Sequence, residues 1–239
     1  MTDPLTMPPA LDITSDEVCP VARLGNRWLC EVRPDTANAR RAGEFILRRF
    51  RQAYDARPAL TFPPLMAMTT GQGTLLAVVG MRMAGAGRLF LEDYLDAPVE
   101  HCLPDCQGAR EGVVEIAHLA GVEVGVSRRL FITMAPWLEH KATEWVVCTG
   151  TGQLRNGFRQ MGIDVSDLGV ADPSRLADSG RGWGRYYQHQ PRVMAIHVPS
   201  GVNTLRRAGL LDKVTLVTPE VDPEVALQPM AGGDYGRIA

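Results

Sequence analysis

The stretch Glu111 to Arg129, EGVVEIAHLAGVEVGVSRR, limits what this chain can fold into more than any other. Its apolar run from Val113 to Ala120 holds one carboxylate, Glu115, and one imidazole, His118, before a glycine-bearing turn and an arginine pair. The pattern reads as a buried strand, a turn and the opening of a helix. Such a unit presents backbone N–H groups and a helix N-terminus to an anionic ligand. Carboxylates are seldom buried without a partner, so Glu115 marks either a functional site or a structural ion pair with Arg82 or Arg88. His118, three residues on, falls on the opposite face of an alternating strand unless a bulge intervenes.

At 239 residues the chain is long enough for one large domain with a substantial core. A composition of 45% hydrophobic and 22% charged residues with a formal net charge of -2 provides no basic field for nucleic acid. Cys19, Cys30, Cys102, Cys106 and Cys148 are scattered without a repeated C-x-x-C spacing, as in reduced thiols of a cytoplasmic protein. His101-Cys102 with Cys106 is half of a metal site and lacks a second ligand pair, so no metal is expected. The N-terminus has no basic region followed by an apolar one. Apolar runs fall short of the ~20 residues that span a bilayer as a helix, so no integral membrane segment is expected.

Pro4, Pro8, Pro9 and Pro20 interrupt any periodic pattern, and residues 1–22 are expected as a flexible leader. A single domain is expected over 23–215. An extended or disordered tail is expected over 216–239, where Pro219, Pro223, Pro229 and Gly232-Gly233 accumulate. Within the domain, Trp28 to Val32 reads as a strand and Ala39 to Tyr54 as a helix with Ala42, Ile46, Phe50, Ala53 and Tyr54 on its apolar stripe. Pro58 to Thr70 and Thr74 to Met83 read as a hairpin about Gly71-Gln72-Gly73. Gly85-Ala86-Gly87 ends that run, and Pro98 denies Leu89 to Glu100 a long regular element.

After the Glu111 to Ala120 strand, Ser127 is the expected N-cap of a helix over Arg128 to Lys141, with Pro136 predicting a kink or break near Ala135. Trp145 to Thr149 is a further buried strand, Gln153 to Met161 a short helix closed by Gly162, and Val193 to Val198 the last core strand. This order predicts an α+β fold, a mixed sheet packed by helices on its faces.

Four segments together resemble a known family: LFLEDYLDAPVE (Leu89 to Glu100), VVEIAHLAG (Val113 to Gly121), WVVCTGTGQLRNGFRQMG (Trp145 to Gly162), and ADPSRL with WGRYYQHQPRVMA (Ala171 to Ala195). In this order and spacing, over roughly Ala53 to Gly201, they look like the thermostable hemolysin family. Its members are similar to the GNAT (N-acetyltransferase) fold and to acyl-homoserine lactone synthases. The resemblance implies a mostly antiparallel, GNAT-like central sheet with helices on both faces and a splayed central strand pair. Where the family usually has Glu-x-Gly-Asn-Leu-Ala, this chain has Glu115-Ile116-Ala117-His118-Leu119-Ala120.

The resemblance also implies a site. GNAT-like proteins bind the pyrophosphate of acyl-CoA on backbone amides between a central strand and the next helix, often through Gln/Arg-x-x-Gly-x-Gly/Ala. Aligning Gly125 puts Val122 first, where the polar residue is lost, and Ser127 last, with Val126 between them. Arg128 and Arg129 at the helix start are candidates to neutralise phosphate, against a plain turn with two exposed arginines. Glu115 becomes the candidate base for an attacking amine, or the anchor of a cationic acceptor, with His118 as a secondary candidate. Glu92 and Tyr94 are expected in an acceptor pocket, the alternative being a loop whose Tyr94 packs on the sheet. Thr149, Thr151, Arg155 and Asn156 flank a strand-to-helix turn that offers hydrogen bonds to a pantetheine amide or an acyl carbonyl, with helix capping by Thr151 as the rival role. Trp183 with Tyr186 and Tyr187 completes the set, a tyrosine being a candidate donor to a leaving thiolate, against simple aromatic packing.

The activity implied is transfer of an acyl group from acyl-CoA or a phosphopantetheine thioester to an amine-bearing small molecule, with S-adenosylmethionine as the alternative ligand. The rival functions are a membrane-active hemolysin and a non-catalytic small-molecule binding protein of the same fold. Arg40, Arg41, Arg48, Arg49 and Arg51 form either a solvated face or a dock for acyl carrier protein, and the protein is expected as a monomer or homodimer.

Overall fold

Alternation of apolar side chains along the strands gives this sheet two apolar faces, and the helices sort onto them. The computed structural model describes residues 9–58, 63–104, 109–123 and 125–217. The strands are β1 (Val18–Leu24), β2 (Arg27–Val32), β3 (Leu65–Thr70), β4 (Leu75–Met83), β5 (Val113–Gly121), β6 (Trp145–Gly150), β7 (Ser166–Val170), β8 (Arg192–His197) and β9 (Val214–Leu216). They form one sheet in the order β7-β8-β6-β5-β4-β3-β2-β1-β9. The helices are α1 (Ala37–Tyr54), α2 (Val99–Cys102), α3 (Val126–His140), α4 (Gly152–Gln160) and α5 (Val198–Arg207). β5 and β6 run parallel, and every other neighbouring pair is antiparallel.

In β3, Met66 and Met68 pack with Leu130 and Met134 of α3 and Val202 and Leu205 of α5. Leu65 and Ala67 point the other way and join Phe45 and Ile46 of α1. A third cluster on the α1 side gathers Leu89, Leu91 and Val99 over Val113, Val147 and Val193. The α+β architecture with helices on both faces is thus as expected. The side chain of Thr36 caps α1 by accepting from the Ala39 N–H at 3.1 Å, a contact worth about 1 kcal/mol.

Two irregularities at the centre of the sheet shape everything that follows. The parallel pairing of β5 and β6 runs from Val113 opposite Trp145 to Ile116 opposite Cys148 and stops. Beyond it β5 stays with β4 as far as Gly121, and β6 stays with β8 as far as Gly150, so the strands part. The second irregularity is a bulge. Val78 pairs with Ala120 and Gly80 with Ala117, which sets His118 and Leu119 opposite Val79 alone. His118 takes φ 56, a left-handed conformation in which His, Asn and Asp are enriched among non-glycine residues. The extra residue reverses the alternation: Ile116 and Leu119 face α3, whereas Ala120 joins the α1 side.

Several expectations need correction. Part of the proposed leader is ordered: β1 begins at Val18, Leu11 is buried, and its N–H donates to the Gly73 carbonyl at 2.9 Å. Pro20 is tolerated because the β1–β2 register shifts beside it. Gly125, with φ 85, takes the N-cap of α3 in place of Ser127, which lies in the first turn. That helix continues through Pro136 to His140 without a break. β7, β9 and α5 were not anticipated; the two strands are short and lie at the edges of the sheet. Cys106 and residues 218–239 of the expected tail lie outside the described residues. Among the described residues no helix is long and apolar enough to cross a membrane.

The Trp183–Tyr187 stretch is held on the end of α1 through backbone contacts that require glycine. Gly184 has φ 52, a Cβ there would stand 2.3 Å from the Tyr54 carbonyl oxygen, and the Arg185 N–H donates to that oxygen at 2.8 Å. Gly184→Ala is predicted to cost about 1–3 kcal/mol, read as a lower urea midpoint. An unchanged midpoint would show that the loop is not docked in this way.

Candidate active site

Two hollows meet where β5 and β6 part. The larger is a groove of about 880 Å³ that runs along the start of α3 and one side of α4. Val122, Gly125, Ser127 and Arg128 form one wall, Gln153, Asn156 and Gln160 of α4 the other, and Arg49 of α1 reaches in from the rim. The smaller is a cavity of about 100 Å³ over β5 and β6, with Glu115, Ala117 and His118 on one strand and Thr149 and Gly150 on the other. Phe50, Tyr54, Leu119 and Leu154 border both hollows.

Close packing at the strand ends sets the shape of the groove. A Cβ on Gly121 would lie 2.5 Å from Val126 Cγ1, and one on Gly150 would lie 2.5 Å from Leu154 Cδ2. Val126 is therefore a buried support under the turn and does not line the groove. Arg129 pairs with Glu123 at 3.1 Å, whereas Arg128 is exposed on the groove wall and makes no ion pair among the described residues. Arg49 donates to the Val122 carbonyl at 3.2 Å, which fixes a cation beside the same turn.

Glu115 is only 3% exposed. Its two oxygens accept from the backbone N–H groups of Phe90, at 3.0 Å, and Leu91, at 2.9 Å. Burial pushes its pKa up against the pull of those two donors. The anticipated ion pair is not formed: Arg82 donates to the Arg88 carbonyl, and Arg88 pairs with Asp93. Glu115 thus ties a 3₁₀ turn, Phe90–Tyr94, to the centre of the sheet.

Glu92 proves to be structural and is absent from the cavity wall. It accepts from the N–H groups of Leu89 and Val99 at 2.8 and 2.9 Å and from Arg110 at 2.7 Å. Arg110 also binds Glu100 and donates to the carbonyls of Ala84 and Gly87. Burial alone would raise the pKa of Glu92, but Arg110 and the Val99 and Leu89 amides outweigh it and leave it at about 2.

The bulge carries His118 to the cavity that Glu115 and Ala117 also line, which strict alternation would have forbidden. Burial, helped by Arg82, lowers its pKa to about 4, so the imidazole is neutral at pH 7 and resists protonation. Tyr94 lines the cavity, and its hydroxyl lies 2.6 Å from that of Tyr187. Tyr186 lines the cavity as well and donates towards the Thr149 carbonyl at 3.5 Å. Burial raises the pKa of all three phenols, which therefore keep their protons.

Trp183 and Thr151 belong to the cavity wall, as does Thr149, whose Oγ1 is buried without a hydrogen-bond partner among the described residues. Thr151 occupies the N-cap position of α4 but makes no side-chain cap bond. Arg155 is not part of either hollow: it turns to Asp167 of β7 at 3.7 Å. Sequence reading missed Phe50, Tyr54 and Phe90 as cavity residues and Arg49 as a groove residue. The first two had looked like ordinary members of an apolar stripe, and Arg49 like one of five equivalent arginines.

A splayed parallel pair, a β-bulge beside it and a groove along the next helix start define the class of acetyltransferase-like α+β proteins. The sequence matches the thermostable hemolysin family over residues 32–202. The chain belongs to that family. Comparison with curated proteins gave no match. Among solved structures, TofI in a ternary complex with an inhibitor and MTA superposes with a TM-score of 0.51 at 13% identity, covering 76% of this chain and 96% of that one. FeeM, an N-acyl amino acid synthase from uncultured soil microbes, gives 0.51 at 14% identity over 81% of this chain and 99% of that one. BjaI, a CoA-dependent acyl-homoserine lactone synthase with SAM and isopentyl-CoA, gives 0.51 at 11% identity over 87% and 98%. At these identities the likeness establishes the fold.

Arg110→Ala leaves Glu92 and Glu100 facing each other in a buried site and is predicted to cost about 3 kcal/mol in urea unfolding. The pH dependence has a defined sign. Because the pKa of Glu92 is depressed to about 2 in the fold, its contribution is complete above the unfolded value near 4.5 and is lost as pH falls towards 2. Wild-type unfolding free energy should decline across that window and that of Glu92→Gln should decline less; parallel curves would refute the clamp.

Proposed function

We propose that the protein transfers an acyl group from a thioester donor, acyl-CoA or an acyl carrier protein, to the amine of a small molecule in the cytoplasm. The observation that carries this reading is the parting of β5 and β6 after Ile116 and Cys148, which opens a large groove onto a small cavity. A long groove with mixed polar and apolar walls suits a phosphorylated carrier with an aliphatic arm, and the narrow aromatic end suits the reacting groups. Named activities of the structural relatives, CoA-dependent acyl-homoserine lactone synthesis and N-acyl amino acid synthesis, agree with it.

In this reading the phosphates lie against the first-turn amides of α3, with Arg128 and Arg49 supplying charge. Pantetheine runs along Ala117–Gly121, where β5 has left β6, and past Gln153 and Asn156. The thioester carbonyl sits at the apex, where the Thr149 hydroxyl is available to donate to its developing oxyanion. The acceptor amine enters from the aromatic cavity and attacks the carbonyl carbon. Its C–N bond forms as the C–S bond breaks, and the amine proton passes to the thiolate sulfur, while neutral His118 orients the amine as a hydrogen-bond acceptor. Glu115, accepting from two amides and with its pKa raised by burial, holds the wall and is the candidate base. The Tyr186 hydroxyl, beside the Thr149 carbonyl, is placed to donate a hydrogen bond to sulfur.

The test is calorimetry with acyl-CoA and acyl-carrier thioesters, followed by turnover with a panel of amines. His118→Asn, which suits the left-handed backbone, should lower kcat by about 100-fold while leaving donor affinity within twofold. Absence of binding to either donor, or wild-type turnover in His118→Asn, would sink the respective parts of the proposal. Binding of a small amine without any thioester would favour a non-catalytic binding protein.

A further inference from the structure

The wall of the small cavity is unusual in its chemistry. Phe50, Tyr54, Phe90, Tyr94, Trp183 and Tyr186 provide six aromatic rings around about 100 Å³. Glu115 is the one carboxylate among the lining residues, which include no arginine or lysine. Among the described residues no cationic side chain pairs with Glu115, although it is 3% exposed. Its nearest cationic candidate across the strands, Arg82, donates instead to the Arg88 carbonyl. A buried carboxylate that Arg82 reaches only through space and not in a direct ion pair, bordered by π systems, favours a cation that desolvated aliphatic walls would exclude.

Size narrows the choice further. An apolar cavity of ~150 Å³ admits benzene, so about 100 Å³ has room for a nitrogen and only a few carbons.

We infer that this cavity binds a compact organic ammonium ion, and that the acceptor is accordingly a small alkylamine with its nitrogen directed at Glu115 and the rings. The acceptor assignment rests on the acyl-transfer reading; the binding of the cation does not. The bound ammonium gives up one proton to solvent before attack, so the nucleophile is the free amine and the transfer balances as written above.

Binding is read on the full-length protein through Trp183 emission, with Trp183→Phe as the control that assigns the signal. The probes are n-butylammonium, its neutral isostere n-butanol, and S-adenosylmethionine. We expect n-butylammonium to bind at least tenfold more tightly than n-butanol. Tyr54→Leu should weaken the cation at least fivefold and Tyr54→Phe less than twofold, while Glu115→Gln should weaken the cation without changing n-butanol. Since Glu115→Gln also loosens the Phe90–Tyr94 turn, the Tyr54 pair is the deciding comparison if that variant fails to fold. Equal affinity for alcohol and amine, equal effects of Tyr54→Leu and Tyr54→Phe, or displacement of the amine by S-adenosylmethionine at lower concentration would overturn the inference. Donor calorimetry separates the two claims. Ammonium binding without thioester binding refutes acyl transfer alone, and thioester binding without ammonium binding refutes this cavity assignment alone.

Discussion

Two hydrogen bonds, from the backbone of Phe90 and Leu91 to the carboxylate of Glu115, join the most irregular part of the chain to the most regular. They fasten the segment after β4 to the central strand and so hold Phe90 and Tyr94 on the cavity wall. The arrangement also explains how a carboxylate is accommodated in an otherwise apolar strand. Its desolvation is offset by donors that are themselves orphaned at the start of a 3₁₀ turn. A second carboxylate, Glu92, performs the same service for the other end of the segment, with Arg110 as its counter-ion. The acidic residues of LFLEDYLDAPVE are thus partly fastenings, which accounts for a motif without helical or strand periodicity.

The fold was legible because its signals are local. Apolar runs in β3, β4 and β8, the Thr36 cap and the α1 stripe each follow from a short run of residues, and the four family segments place them in one sheet. Much of the groove was legible too: Val122, Gly125, Ser127, Arg128 and Asn156 fall on its walls because a strand-turn-helix unit admits few geometries. Roles depending on long-range partners were not legible. Nothing near Glu115 or Glu92 in sequence reveals that one binds the amides of Phe90 and Leu91 and the other Arg110. Arg155 was displaced from the site by Asp167, on a strand too polar and short to be recognised.

The side on which His118 lies depended on one backbone angle. Strand alternation puts it away from Glu115, and the bulge returns it to the same cavity. A left-handed φ in the middle of a strand is stored strain, of order 1–3 kcal/mol for a non-glycine residue, and the usual family residue at this position, asparagine, suits that conformation as well. The substitution by histidine therefore preserves the backbone while exchanging an amide for a titratable ring. Ala117 in place of glycine is accommodated because the unusual angle falls on its neighbour.

The parallel contact between β5 and β6 extends over four residue pairs, Val113 to Ile116 opposite Trp145 to Cys148. On either side of it the strands are joined by longer antiparallel ladders, β1 to β5 on one flank and β6 to β8 on the other. The sheet therefore has a seam, and the groove follows that seam. A molecule lying there touches both flanks and acts as a rivet, adding its binding energy where the sheet has the least of its own. Occupancy of the groove should thus bear on how the two halves of the sheet hold together mechanically, and a protein emptied of ligand is the one whose halves are freest to work against each other.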